Sequence, residues 1–154
     1  MSIEDKLKEL GIELQTPPSP VANYIPVQQT GNLIYLSGQG PRDEEGNFIT
    51  GKVGADISAE QAYDLSRNTA VNLISAMKSY LGSLERVVKI VKVFGMVNAT
   101  SDFTDHPKVI NGCSDLLVEF FGKEKGVHAR SAMGVYMLPN NIPVEIEAIL
   151  ELSN

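Results

Sequence analysis

A chain of 154 residues with 43% apolar and 21% charged residues has the length of one domain and the composition of a globular protein. Its net charge of −6 and pI near 4.9 argue against a nucleic-acid platform, which needs clustered Lys and Arg to release counterions from phosphates. No apolar stretch approaches the ~20 residues that span a bilayer, residues 1–6 lack the regions of a secretory signal, and the single cysteine, Cys113, excludes an internal disulfide, so a cytoplasmic protein is expected.

Residues 2–10 read as a short helix: Ser2 and Asp5 have capping spacing, Ile3, Leu7 and Leu10 share a face, and Gly11 stops it. The stretch Pro17-Pro18-Ser19-Pro20 cannot be helical and predicts an extended connector, so residues 1–20 form an addition in front of a domain over 21–154. Tyr24–Gln29 and Leu33–Ser37, on either side of Thr30-Gly31-Asn32, make a hairpin, and a polar loop follows at Arg42–Asn47. Ser58-Ala59-Glu60-Gln61 has the form of a capping box. Behind it Ala62, Leu65, Thr69, Leu73, Ala76, Met77 and Tyr80 carry an amphipathic helix to Gly82. Arg86–Val97 is rich in Val and Ile and predicts a long strand. Asp105 is placed to cap a second helix, with Pro107 in its first turn and Val109, Cys113, Leu116, Leu117, Phe120 and Phe121 as its buried stripe before Gly122.

Two strand-like runs end the chain. In the first, Arg130, Ala132, Gly134 and Tyr136 share one face opposite Ser131, Met133, Val135 and Met137; in the second, Val144, Ile146, Ala148 and Leu150 are opposite Glu145, Glu147 and Glu151. Leu138-Pro139-Asn140-Asn141 carries turn chemistry, so the runs are expected to pair as a hairpin that lets Arg130 approach Glu145. The order β-β-α-β-α-β-β predicts an α+β layer architecture, one sheet with two helices on its inner face.

The segments Ala129-Arg130-Ser131, Leu138-Pro139 and Val144-Glu145-Ile146-Glu147-Ala148 together resemble the C-terminal signature of the Rid family (reactive intermediate deaminase, also called YjgF). Tyr24, Gly31-Asn32 and Ser37-Gly38-Gln39 resemble its upstream motif, in the right order, and the likeness covers roughly residues 21–152. The resemblance implies a chorismate-mutase-like α+β fold, a mixed sheet packed against two helices, assembled as a homotrimer with sites between subunits. It implies hydrolytic deamination of enamine and imine intermediates, 2-aminoacrylate-like, to 2-oxo acid and ammonia, with no cofactor or metal. By resemblance Arg130 holds the carboxylate of an amino-acid-derived substrate, a task suited to its planar, permanently charged fork. Glu145 orients the attacking water, a general acid–base role. Tyr24, Ser37, Gly38, Ala132 and Asn111 correspond to pocket positions. The departures are Ala132, where the deaminase branch often has Cys, Gly134 in place of a bulkier residue, which predicts an enlarged or reshaped pocket, and a longer segment over 104–126. They point to a divergent branch.

Apart from the motif, Arg130 would be expected to form a structural ion pair with Glu145 or Glu147, while Glu147 and Glu151 read as a solvated or interface face. His128 reads as a hydrogen-bonded residue rather than a base, Cys113 as packing, and His106 as helix-start chemistry. No His, Cys and carboxylate group has metal-ligand spacing, and Gly38-Gln39-Gly40 is too short for a phosphate cradle. Two rival functions stand beside the deaminase: a non-catalytic module that binds a small carboxylated metabolite such as a 2-oxo acid, and an endoribonuclease, against which the acidic charge weighs.

Overall fold

A computed structural model describes residues 1–20 and 22–154. The chain forms α1 (Asp5–Glu9), β1 (Val27–Thr30), β2 (Leu33–Gln39), α2 (Ala59–Leu81), β3 (Val87–Asn98), α3 (His106–Gly126), β4 (Ala129–Val135) and β5 (Val144–Leu152). The strands make one five-stranded sheet in the order β1-β2-β5-β3-β4, antiparallel except where β3 meets β4. Both long helices pack on one face of it, the chorismate-mutase-like arrangement. Among the described residues no helix is long and apolar enough to cross a membrane.

Local chemistry explains the helices. Ser58 caps α2 with both bonds of a capping box to Gln61, and Gly82 ends it at φ 73°, where a side chain would be strained. The stripe expected for α3 is buried throughout, but Asp105 makes no side-chain cap bond. Gly122 kinks α3 instead of ending it. Tyr80, expected on the buried stripe of α2, lies outside it at 45% exposure and donates to Gln29. The two helices cross where a Cβ on Gly112 would lie 2.0 Å from the Tyr63 carbonyl oxygen, so only glycine admits this contact.

The C-terminal hairpin does not form. β4 runs parallel to β3 because α3 carries the chain back to the start of the sheet edge, the crossover that parallel neighbours need. β5 then enters between β2 and β3, antiparallel to both, and satisfies its backbone on two sides rather than one. The turn at Pro139–Asn141, with positive φ at Asn140 and Asn141, redirects the chain between the two strands.

The expected helix at the front shortens to α1, although Ser2 and Asp5 do bond reciprocally, at 3.1 and 3.0 Å. Ile3, Leu7 and Leu10 pack against the main core, and Glu4 meets Lys78 at 2.7 Å. The front end is therefore docked on the domain. On the sheet's other face no helix of the described residues covers Tyr35, Phe94, Met96, Met133 and Ile149, and Tyr35 and Met133 keep 43% and 45% of their surface exposed.

Candidate functional site

Arg130 stands on edge strand β4, in register with Val93 and, through it, with Ala148, both buried under the helices. Its side chain turns to α3, where Nη1 donates to Asn111 Oδ1 at 2.8 Å and to Ser114 Oγ at 3.2 Å. Ser114 and the His128 Nε2 are 2.9 Å apart, and His128 Nδ1 lies 2.7 Å from the Gly126 carbonyl oxygen. A carbonyl only accepts, so Nδ1 carries the proton, Nε2 accepts from the Ser114 hydroxyl, and that oxygen is left to accept from Arg130. Burial, together with the Arg130 charge, holds the His128 pKa below its usual value, which suits this neutral tautomer. The relay fixes one edge of the guanidinium. No carboxylate among the described residues pairs with it, so the expected structural ion pair with Glu145 or Glu147 is absent.

Glu145 lies elsewhere. It is in register with Met96 on β3, which pairs in turn with Met133 on β4, and this row faces away from the helices. Arg130 and Glu145 are thus on opposite faces of the sheet, separated by an intervening strand, about 10 Å across it. The approach expected from a hairpin fails because β3, not β5, is β4's neighbour. Glu145 instead opens into a pocket of about 600 Å³ with Tyr24, Gly38, Arg42, Phe48 and Asn140, walled on one side by Pro18 and Pro20 of the connector. A Cβ on Gly38 would lie 2.8 Å from Glu145 Cγ and 2.9 Å from Oε2, so the missing side chain is what lets the carboxylate rest on β2. Half-burial, reinforced by nearby Glu147, raises the Glu145 pKa above the ordinary carboxylate value.

The other expected pocket residues divide between these regions. Tyr24 and Gly38 join Glu145, whereas Asn111 and Ala132 lie on the Arg130 side. Ser37 is not in the Glu145 pocket: its hydroxyl donates to the Ile25 carbonyl at 2.7 Å and its N–H to Pro26, fastening the segment that carries Tyr24. At Gly134 a Cβ would lie 2.3 Å from His106 Nε2, and that ring packs edge-on against Phe103 at 5.3 Å, so the imidazole takes the place of a side chain on the wall of a pocket of about 630 Å³ that both residues line. Ser114 escaped the reading of the sequence but was discoverable, since it follows Asn111 by three residues and so shares its helix face. His106, expected as helix-start chemistry, does open α3, but no signal in the sequence placed its ring against Gly134. Cys113 is buried and its thiol is pushed up to about 12, inert as expected.

The two-helix, mixed-sheet layer on which this arginine and this glutamate stand is the fold of the solved structures the chain resembles. Residues 4–151 match the family described as "YjgF/chorismate_mutase-like, putative endoribonuclease", and the chain belongs to this YjgF/Rid family. A Dermatophagoides farinae protein named 2-iminobutanoate/2-iminopropanoate deaminase is 32% identical over 140 residues, covering 89% of this chain and 93% of its own. Protein TCP17 of Trypanosoma cruzi is 38% identical over 148 residues, covering 96% and 92%. The crystal structure of a "putative endoribonuclease" from Shewanella oneidensis MR-1 superposes with a TM-score of 0.93 at 31% identity, covering 99% of this chain and 100% of its own.

Proposed function

We propose that the protein hydrolyses enamine and imine intermediates derived from amino acids to 2-oxo acids and ammonia, at sites shared between subunits of a homotrimer. The observation that carries this reading is the opposite placement of Arg130 and Glu145. A small substrate gripped by Arg130 can meet that carboxylate only when another copy supplies it. The uncovered face around Tyr35, Phe94 and Met133 offers apolar surface for such assembly.

In this reading the open edge of the Arg130 fork takes the substrate carboxylate by two parallel hydrogen bonds, beside Ala132. An enamine first gains a proton on carbon and becomes the iminium, the protonated imine. Water oxygen then bonds to its carbon as the C=N π pair moves onto nitrogen, and Glu145 of the partner subunit takes a water proton. Glu145 returns that proton to the nitrogen of the carbinolamine, the C–N bond breaks with its electron pair leaving on ammonia, and the hydroxyl loses its proton to the carboxylate to become the carbonyl. A carboxyl raised above its ordinary pKa is fitted to both halves of that exchange. A cytoplasmic setting suits the single thiol.

The test mixes two inactive variants. Ammonia release from imines made in place by an amino-acid oxidase should vanish in Arg130→Ala and in Glu145→Gln. Subunits of the two variants, unfolded and reassembled together, should recover roughly a quarter of wild-type sites, because one chain brings the arginine and another the glutamate. Mixed assemblies as dead as their parents would refute the shared site. A carboxylate-binding module is the second reading, favoured by the neutral relay that holds Arg130, whose guanidinium pairs with no carboxylate of the described residues. It predicts that Glu145→Gln changes affinity alone.

A further inference from the structure

Arg42 shares the Glu145 pocket, and no relationship with the carboxylate chemistry proposed above accounts for it. The residue is tied into its loop by its backbone, whose N–H donates to Asn68 at 2.9 Å, and by Nη1, which donates to the Gly46 carbonyl at 2.8 Å. The guanidinium lies over the Phe48 ring, 4.0 Å from its centroid, which sets its plane. On the opposite edge Nε is buried without a hydrogen-bond partner among the described residues. No carboxylate of the described residues comes within 4.0 Å of this charge. Asp43, its acidic neighbour, is turned back into the loop, accepting from the N–H groups of Glu45 and Asn47 at 3.0 and 2.8 Å.

A buried donor left unpaired is costly, and a guanidinium edge of Nε and Nη2 has the spacing of a carboxylate. We infer that Arg42 is a specificity residue that binds a second, distal carboxylate of the substrate, so that the preferred intermediates are those derived from acidic amino acids. This rests on the deaminase reading for its chemistry, since the substrate carries one carboxylate at Arg130 of one subunit and the other at Arg42 beside Glu145 of the next. The reacting carbon lies between the two grips. Aspartate- and glutamate-derived skeletons have this form, with the C=N next to one carboxylate and a short methylene chain leading to the other.

The experiment compares imines generated by glutamate oxidase and by a leucine-active oxidase, in wild type and in Arg42→Gln, whose loop stays tied by the backbone bonds of residue 42 with Asn68 and by the bonds Asp43 accepts from Glu45 and Asn47. The ratio of kcat/KM for the glutamate-derived over the leucine-derived imine should exceed one in wild type. It should fall about tenfold to a hundredfold in the variant, with Arg42→Lys in between. An unchanged ratio, or equal loss on both substrates, overturns the inference. Should the wild type accelerate neither imine, the deaminase reading fails by itself, and calorimetry with 2-oxoglutarate against 2-oxobutyrate decides the subsite. Tighter binding of the dicarboxylate, abolished in Arg42→Gln, upholds it; equal binding of the two acids, or a preference that survives in Arg42→Gln, overturns it.

Discussion

The two halves of the candidate site are built by different means. Arg130 is held by regular structure: an edge strand places it, a helix supplies Asn111 and Ser114, and His128 closes the relay on a backbone carbonyl. Glu145 sits on a strand as well, but its surroundings come from the Tyr24 segment, the Arg42–Phe48 loop and the proline connector. A charge meant to grip one group in one pose gains from rigid support. A carboxylate meant to exchange protons gains from partial desolvation, which these covering segments supply.

The largest effect is expected on the loop side, where Glu145→Gln should lower kcat about 10²- to 10⁴-fold while sparing ligand affinity; a matching rise in Kd would instead make Glu145 part of the grip. On the helix side Arg130→Ala should weaken carboxylate binding about tenfold to a hundredfold in titrations with 2-oxo acids. Asn111→Ala and Ser114→Ala should cost less because they orient the fork without replacing its charge. Next comes packing: Gly134→Ala should destabilise the fold by about 1–3 kcal/mol in denaturant melts, and His106→Ala in the same chain should recover most of it if the imidazole is what the new methyl strikes.

The smallest effect is in pH. Because the folded His128 pKa lies below the unfolded 6.5, stability from keeping the ring neutral is present above pH 6.5 and is lost as pH falls through the lower folded value. The Tm of wild type should therefore drop more steeply on acidification from 6.5 than that of His128→Gln, and parallel curves would remove His128 from the relay. Glu145 acts in the opposite sense. Its raised folded pKa contributes stability present below 4.5 and lost as pH rises through the folded value, so Glu145→Gln should gain on wild type across that window.

Much of the fold could be read directly because its signals are local. The capping box at Ser58, the stripe of α3 and the alternation of β5 each depend on residues within a few positions of one another, and each is realised. The Arg130 and Glu145 motifs were equally legible as short strings. What their string could not carry was distance: a turn sequence between two strands suggests a hairpin, and the register alone would have let the two side chains meet. The pairing was decided by the rest of the sheet, because β5 forms two ladders between β2 and β3 and only one beside β4.

The sequence by itself determined the residue types, the faces they occupy along each strand and helix, and the family to which the chain belongs. Those follow from backbone periodicity and side-chain chemistry, which act over a few residues. Only the tertiary structure decided that the arginine and the glutamate lie on opposite faces, that His106 takes the space of a side chain at Gly134, and that Arg42 lines the Glu145 pocket with an Nε that has no hydrogen-bond partner among the described residues. These depend on which strand wins a neighbour and which side chain fills a gap, competitions settled by hydrogen bonds and packing between segments far apart in the chain.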